Sequence, residues 1–305
     1  MRFLNVKTDY AFKKVFGSEG SKDILISFLN AVIVFENNEK IEDLVIVDPL
    51  QIPLIKGMKD TYVDVKARLS NGKRVIIEMQ VLNVEGFEKR VLYNAAKAYS
   101  NQLFTAEQFI GLEPVIALTI TDFIMFPELE KVITYFKLME KDVLLKYADE
   151  IELIFIELPK FKKEVSELAD ITDKWIYFIK NAGTLEYIPE TFKRDIEIKK
   201  AFDIVNEAGM SEEELELQHK KIDYIYLQKG AISLAQKQGH QLGLQLGQQL
   251  GQQQGIEQGI EQGIEQGIKQ GKVEIARNML HSGMEIDKIS LLTGLNIAEI
   301  QSLRE

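Results

Sequence analysis

Apolar residues in the first half of the chain alternate between helical and extended spacing. The pattern predicts one or two opening helices over residues 7–16 and 21–33, and a further helix at 86–103. It also predicts a buried strand at 114–120 and another strand at 151–158. A β-hairpin around an Asn-Gly turn is predicted over residues 63–80. Because helices alternate with strands, we predict an α/β fold for residues 1–160, with a mixed central sheet flanked by helices.

The hairpin has two candidate registers, which differ by one residue in the turn. A two-residue turn would mix apolar and polar residues on both faces of the hairpin. A three-residue loop at 70–72 instead gives one apolar face, on which Val65 is opposite Ile77. We predict the second register, which sets Asp64 directly opposite Glu78 on the other face.

The second half of the chain has helical patterns only. Residues 161–238 are predicted to form a helical extension, and residues 239–271 are a repeat with a different composition. Glycine occupies every fourth position of the repeat, at 239, 243, 247, 251, 255, 259, 263, 267 and 271. Each glycine costs a helix about 0.5–1 kcal/mol relative to alanine. The repeat is therefore either a flexible tether or a helix that is stabilised by self-association along its glycine ridge.

Residues 272–305 have the pattern of a small helical cap. Two helices end at Gly283 and Gly294, and a third begins at Asn296 with Glu299 completing a capping box. Helices joined by short glycine turns have the outline of a helix-turn-helix. Because the last helix carries only Arg304 as a cation, the sequence favours a packing or oligomerisation module over a DNA-reading one.

Composition and charge narrow the class of protein. The chain has 305 residues and no cysteine, which excludes disulfides and thiolate zinc sites. Net charge is −10, yet residues 1–105 contain fifteen Lys and Arg against thirteen Asp and Glu, so a nucleic acid would bind this first third. Neither an apolar leader nor a run long enough to cross a membrane is present. We expect a cytoplasmic protein with no membrane span.

The facing acids of the hairpin suggest a metal site. Opposed residues of such a pair have Cβ atoms about 4.5–5.5 Å apart, so two carboxylates repel unless a proton or cation lies between them. Two acids, a backbone carbonyl and waters are a ligand set for Mg²⁺ or Mn²⁺. The alternative is that Asp64 and Glu78 are solvated beside Lys66 and Arg68.

Several segments together resemble a known family. They are KTDYAFKKVFG, YVDV, VIIEMQ, FIELPKF and the glycine repeat. Their order, with a helix, an Asp on one strand, IEMQ on the next, a helix and a buried strand, resembles the PD-(D/E)XK nuclease core. The combination is similar to the Rpn family of recombination-promoting nucleases, whose members are also described as transposases, over nearly the whole chain.

The resemblance implies a set of metal ligands. Asp64, Glu78 and the Met79 carbonyl would hold the ion, and Asp9 would be aimed at the same site from the first helix. An exposed acid favoured by the helix dipole is the alternative interpretation of Asp9.

The resemblance also implies roles for neighbouring polar residues. Gln80 stands where the superfamily motif usually has lysine, so it can orient water or phosphate but supplies no positive charge. Lys66 would supply that charge, unless it is an ordinary surface lysine. Arg90, Tyr93 and Lys97 fall at helical spacing and would contact DNA phosphates, or else form a solvated face.

Two functions of different classes follow from these residues. The first is a Mg²⁺-dependent DNA endonuclease that works as a homo-oligomer through the glycine repeat and cap, linked to recombination, mobile elements or phage defence. The second is a catalytically silent DNA-binding or assembly protein of the same fold. True transposition would need features beyond those in this sequence.

Overall fold

The computed structural model describes residues 2–35, 39–51, 61–103 and 107–303, and the chain divides into two compact units, Met1–Gly230 and Ala231–Glu305. The strands are β1 (Leu44–Val47), β2 (Leu50–Gln51), β3 (Thr61–Tyr62), β4 (Val65–Leu69), β5 (Arg74–Gln80), β6 (Val115–Thr121), β7 (Ile133–Lys137) and β8 (Ile151–Glu157). The helices are α1 (Asp9–Phe16), α2 (Lys22–Val32), α3 (Phe87–Ser100), α4 (Ile171–Asn181), α5 (Ile196–Ile204), α6 (Glu212–His281), α7 (Ile286–Thr293) and α8 (Ile297–Ser302).

A six-stranded mixed sheet lies at the centre of the first unit, in the order β1-β4-β5-β6-β8-β7. The inner strands β5, β6 and β8 are parallel. Strands β4 and β7 pair antiparallel with β5 and β8, and the edge strand β1 pairs antiparallel with β4. Every residue of β6 is buried, as expected of a strand covered on both faces. The predicted α/β fold with flanking helices is confirmed. The edge strand β7 was not predicted.

The register of the hairpin is confirmed over most of its length. Val65 pairs with Ile77, and the Leu69 N–H donates to the Lys73 carbonyl at 2.8 Å. Gly72 has φ +89°, the left-handed conformation that the three-residue loop requires. The apolar alternation therefore predicted the turn correctly.

The predicted register fails at the end of the hairpin that carries Asp64. The Asp64 N–H donates to the Ile77 carbonyl at 3.0 Å, although Ile77 is already opposite Val65. One extra residue is thus accommodated here, as in a β-bulge. Val63 consequently packs with Ile76 on the α3 face, whereas Val65 packs on the α1 face. The prediction that Asp64 lies directly opposite Glu78 is therefore wrong.

The helices on the α1 face share one apolar core with the sheet. Trp175 of α4 is fully buried, and its ring centroid lies 5.9 Å from those of both Phe16 and Phe28. Phe202 of α5 packs on Phe178 of α4 with 4.7 Å between centroids. Helices α4 and α5, from the predicted helical extension, are thus part of the core that holds α1 against the sheet.

Helix α3 covers the other face of the sheet. Ala95 and Ala98 pack on Ile76, as the predicted helix over 86–103 requires. The alternative of a solvated polar face is wrong in part, because Asn94 and Lys97 are only 2% and 6% exposed.

A buried ion pair closes the end of β8. Glu157 is fully buried, and its Oε1 accepts hydrogen bonds from the N–H groups of Met125 and Phe126. Lys160 Nζ lies 2.5 Å from Glu157 Oε2 and donates to the Phe126 carbonyl at 2.8 Å. The two residues come from the FIELPKF segment, and they fix the loop after β6 to the end of β8.

Helix α6 contains the whole glycine repeat. Its first turn has the capping box in which the Glu214 N–H donates to Ser211 Oγ. In the repeat, a Cβ added at any of the nine glycines would meet nothing within 4 Å. All of residues 231–270 are exposed, including the isoleucines that follow glycine at 256, 260, 264 and 268. The repeat is therefore helical in this structure. None of the described residues covers its glycine ridge or its isoleucine ridge.

The cap is built as the sequence predicts. Gly283 and Gly294 have φ +80° and +70°, and Asn296 and Glu299 form a reciprocal capping box. Three residues join α7 to α8, and Ile289 and Ile300 are buried in the small core of this cap. Arg304, the cation considered for DNA reading, lies outside the described residues. Among the described helices, none is both long and apolar enough to span a membrane.

Candidate active site

Asp64 is held against the edge of β5 by the bulge. Its Oδ2 accepts a hydrogen bond of 2.7 Å from the Met79 N–H, and its side chain is 15% exposed. Since the extra residue turns the chain out of the ladder, the Met79 N–H bonds to the carboxylate in place of a backbone carbonyl. The contact joins Asp64 to the N–H of Met79, whereas the predicted metal ligand is the carbonyl of the same residue.

Helix α1 adds two charges beside Asp64. Lys13 Nζ lies 2.7 Å from Asp9 Oδ1 and 3.6 Å from Asp64 Oδ1. Burial raises the pKa of Asp64 to about 7, and Asp9 adds to the shift while the Met79 N–H and Lys13 oppose it. Burial also acts to raise the pKa of Asp9, but hydrogen bonds with Lys13 and Asp64 outweigh it and hold that pKa below its usual value. Asp9 thus contacts this cluster, and its role as a metal ligand stays a prediction.

Glu78 faces helix α3, on the side of β5 away from α1. Its Oε1 accepts a hydrogen bond from Arg90, and its Oε2 lies 3.5 Å from Asn94 Nδ2. Burial raises the pKa of Glu78, although Arg90 and Asn94 oppose the shift. The two predicted metal-binding acids therefore lie on two sides of β5. Asp64 is beside the Met79 N–H and Lys13, and Glu78 is beside Arg90 and Asn94.

Gln80 belongs to the Glu78 environment. Arg90 donates to Gln80 Oε1 at 2.7 Å as well as to Glu78, and Gln80 Nε2 donates to the Leu82 carbonyl. Arg90 thus orients two side chains of the motif, so it lies within the site as well as on the helix surface predicted to meet DNA.

The remaining predicted residues lie in two places. Lys66 is half-buried; burial lowers its pKa, Arg74 adds to that effect and Asp48 opposes it. Tyr93 and Lys97 lie further along α3, with the Lys97 ammonium 5.8 Å from the Tyr93 ring centroid. It is Lys13, which the sequence interpretation missed, that lies beside Asp64. The only sequence signal for it is its position four residues after Asp9, typical of any helical ion pair.

A cleft of about 750 Å³ opens beside Glu78. Strand β3 forms one wall and the first turns of α3 form the other, with Lys89, Arg90 and Tyr93 among its lining residues. The cleft is large enough for a small organic ligand. Glu78 is thus accessible to a molecule that enters from the α3 side.

The donor atoms offered by Asp64, Glu78 and the Met79 carbonyl are oxygens, the ligand type that a hard divalent ion takes. Asp64 and Glu78 are each 15% exposed with a raised pKa, so the protein compensates their negative charge incompletely. Mg²⁺ is commonly held by one or two carboxylates and keeps several waters. Across the described ranges, no group of three or more His, Cys, Asp or Glu side chains is placed to hold a metal. Among the described residues there is therefore no metal site closed by protein ligands, and an ion held by Asp64 and Glu78 would keep several waters.

Comparison with known proteins gives matches to two families. Residues 6–235 match the family described as PD-(D/E)XK nuclease family transposase. Residues 269–305 match the C-terminal HTH domain of the Rpn/YhgA-like nuclease family. No curated protein and no solved structure matched the chain. Because the first match covers more than half of the sequence, and the second lies where the cap folds, the chain belongs to the PD-(D/E)XK nuclease family transposases, of the Rpn type.

Proposed function

We propose that the chain is a Mg²⁺-dependent DNA endonuclease that hydrolyses phosphodiester bonds. The observation that carries the proposal is the pair of partly buried acids, Asp64 and Glu78, on either side of Met79 at one strand end. These two carboxylates and the Met79 carbonyl would hold the ion. When bound, such an ion polarises a phosphoryl oxygen and lowers the pKa of a water ligand.

The surrounding residues position this donor set. Lys13 supplies beside Asp64 the positive charge that Gln80 lacks, and Asp9 orients Lys13. Arg90 holds Glu78 and Gln80 in one arrangement, and its charge faces the cleft from which a DNA phosphate would approach. In this proposal Lys66 has no direct role.

Nicking of supercoiled plasmid tests the proposal. We expect purified protein to nick with Mg²⁺ or Mn²⁺ and to stop on EDTA addition. Asp64→Ala should lower the nicking rate by about 100-fold. Even the loss of a residue that only supports a metal ligand lowers metal affinity or activity by about 10–100-fold. Asp203→Ala, a surface acid outside the site, is the control and should nick at the wild-type rate. Equal rates with Asp64→Ala would contradict the assignment.

A second candidate is a catalytically silent DNA-binding or assembly protein. The match of residues 269–305 to an HTH domain favours it, since α8 would then read DNA from the cap. Intact folding and duplex binding, without nicking in Mg²⁺ or Mn²⁺, would support this alternative. A cytoplasmic role in recombination, mobile elements or phage defence is compatible with both candidates.

We also propose that the glycine repeat of α6 self-associates. Its nine glycines weaken an isolated helix, and the isoleucine ridge beside them is 56–61% exposed at each position. Sedimentation equilibrium should give an oligomer for the full chain. Replacing Ile256, Ile260, Ile264 and Ile268 by Gln should reduce the molar mass to that of a monomer. A wild-type monomer would refute self-association.

A further inference from the structure

Unpartnered polar atoms are concentrated in the cleft beside Glu78. In the described residues, four buried side-chain atoms have no hydrogen-bond partner, and three of them belong to residues that line this cleft: Thr61 Oγ1, Arg90 Nε and Asn94 Oδ1. A buried polar group without a partner costs about 1–3 kcal/mol. Such groups are few in native proteins. Their concentration at one cleft points to a ligand that would complete their hydrogen bonds.

The three atoms define what the ligand offers. The Arg90 Nε–H is a donor, the Asn94 amide oxygen is an acceptor, and the Thr61 hydroxyl can act as either. Asn94 is 2% and Thr61 9% exposed, so both residues are buried in the walls of the cleft. The ligand therefore has donors and acceptors on one compact edge.

Aromatic rings border the same cleft. Tyr62 is 68% exposed and Tyr93 36% exposed, and both are lining residues. Lys89 and Arg90 add positive charge at the wall formed by α3. Exposed rings beside cations are the arrangement on which proteins stack the bases of single-stranded nucleic acids.

We propose that this cleft binds one unpaired nucleotide of the DNA substrate, next to Glu78. The base stacks on Tyr93 or Tyr62, and its hydrogen-bonding edge meets Thr61 and Asn94. A base within a duplex has its faces covered by neighbours and its pairing edge occupied by its partner, so it cannot make these contacts. The inference rests on the proposed nuclease function and specifies its substrate: DNA with an unpaired base at the cutting position.

Two matched pairs of variants test the subsite by binding alone. Fluorescence anisotropy of the full chain with a labelled single-stranded or duplex oligonucleotide, in EDTA, requires no cleavage. Thr61→Val should weaken single-strand binding by about fivefold, since it removes one hydrogen bond. Thr134→Val is the control, because Thr134 Oγ1 is also buried and unpartnered but lies on β7. It should leave binding unchanged.

The second pair concerns the rings. Tyr93→Ala should weaken single-strand binding by about tenfold, because one base stack is lost. Tyr187→Ala, at a ring that is 73% exposed and outside the cleft, is the control. Duplex binding should be unaffected by all four variants, since the helix-turn-helix would bind duplex elsewhere.

The outcomes separate the subsite from the nuclease. If Thr61→Val and Tyr93→Ala bind single strands as their controls do, the subsite is refuted even when the protein nicks plasmid. If both variants lose single-strand binding and the wild type never cuts, the subsite stands and the nuclease proposal fails. Equal losses of single-strand and duplex binding would also refute an unpaired-nucleotide subsite.

Discussion

Asp64→Asn is expected to raise the free energy of unfolding at pH 8 in EDTA by about 2–4 kcal/mol, because each unit of pKa shift corresponds to about 1.4 kcal/mol. Burial raises the pKa of Asp64 to about 7 from its ordinary value of 3.8. Between these values the folded state binds the extra proton, so the stability of the wild type falls as pH rises. Asparagine removes the charge, and its side-chain oxygen can still accept from the Met79 N–H.

The pH dependence and the metal dependence both check this interpretation. The advantage of Asp64→Asn should vanish below about pH 4, where the carboxyl is protonated in both states. Thermal unfolding at pH 8 should show the variant melting about 4–15 °C higher in EDTA. Mg²⁺ should narrow that gap by stabilising only the wild type. Asp203→Asn, at an exposed acid outside this cluster, is the control and should bring no gain.

Lys160→Met is expected to cost about 3–5 kcal/mol of stability, the range for removing one partner of a buried ion pair. Glu157 would remain fully buried without its cation, while still accepting from Met125 and Phe126. Urea unfolding followed by circular dichroism would measure the loss. Such a loss would indicate that FIELPKF, one of the segments shared with the nuclease family, serves stability and not catalysis.

An exposed pair with the same spacing provides the comparison. Lys193 and Glu190 form an ion pair three residues apart, like Lys160 and Glu157, but their side chains are 55% and 83% exposed. Lys193→Met should cost at most about 1 kcal/mol, as for other exposed pairs. Similar losses in Lys160→Met and Lys193→Met would show that the burial of the first pair has no energetic weight.

The sequence predicted a mixed sheet and the turn, but neither the edge strand β7 nor the bulge. Period-two alternation selected the loop at 70–72, and the buried run at 114–120 appeared as β6. The extra residue at Asp64 leaves no such signal, because Val63 and Val65 are both apolar and each finds a core on its own side. Regular alternation would put residues 63 and 65 on the same face of the strand. A pattern of apolar positions therefore cannot reveal that the bulge places these two valines on opposite faces.

The candidate site depended on contacts between distant segments. Arg90, Tyr93 and Lys97 were expected to share a helix face, but only the packing of α3 on β5 decides that Arg90 meets Glu78. Lys13 lies fifty-one positions before Asp64, so its approach to that carboxylate follows from the docking of α1. The residue types thus indicated a metal-binding pair of acids. The tertiary structure was needed to identify Lys13 and Arg90 as the cations beside them.

The four-residue period of the glycine repeat has a consequence for its evolution. One repeat unit advances a helix by about 6 Å and turns it by about 40° beyond a full revolution. Adding or deleting a unit keeps glycine beneath glycine and isoleucine beneath isoleucine, so both ridges stay continuous. The length of this helix can therefore change in discrete steps, through gain or loss of twelve-nucleotide units in the coding sequence, without loss of its surface pattern.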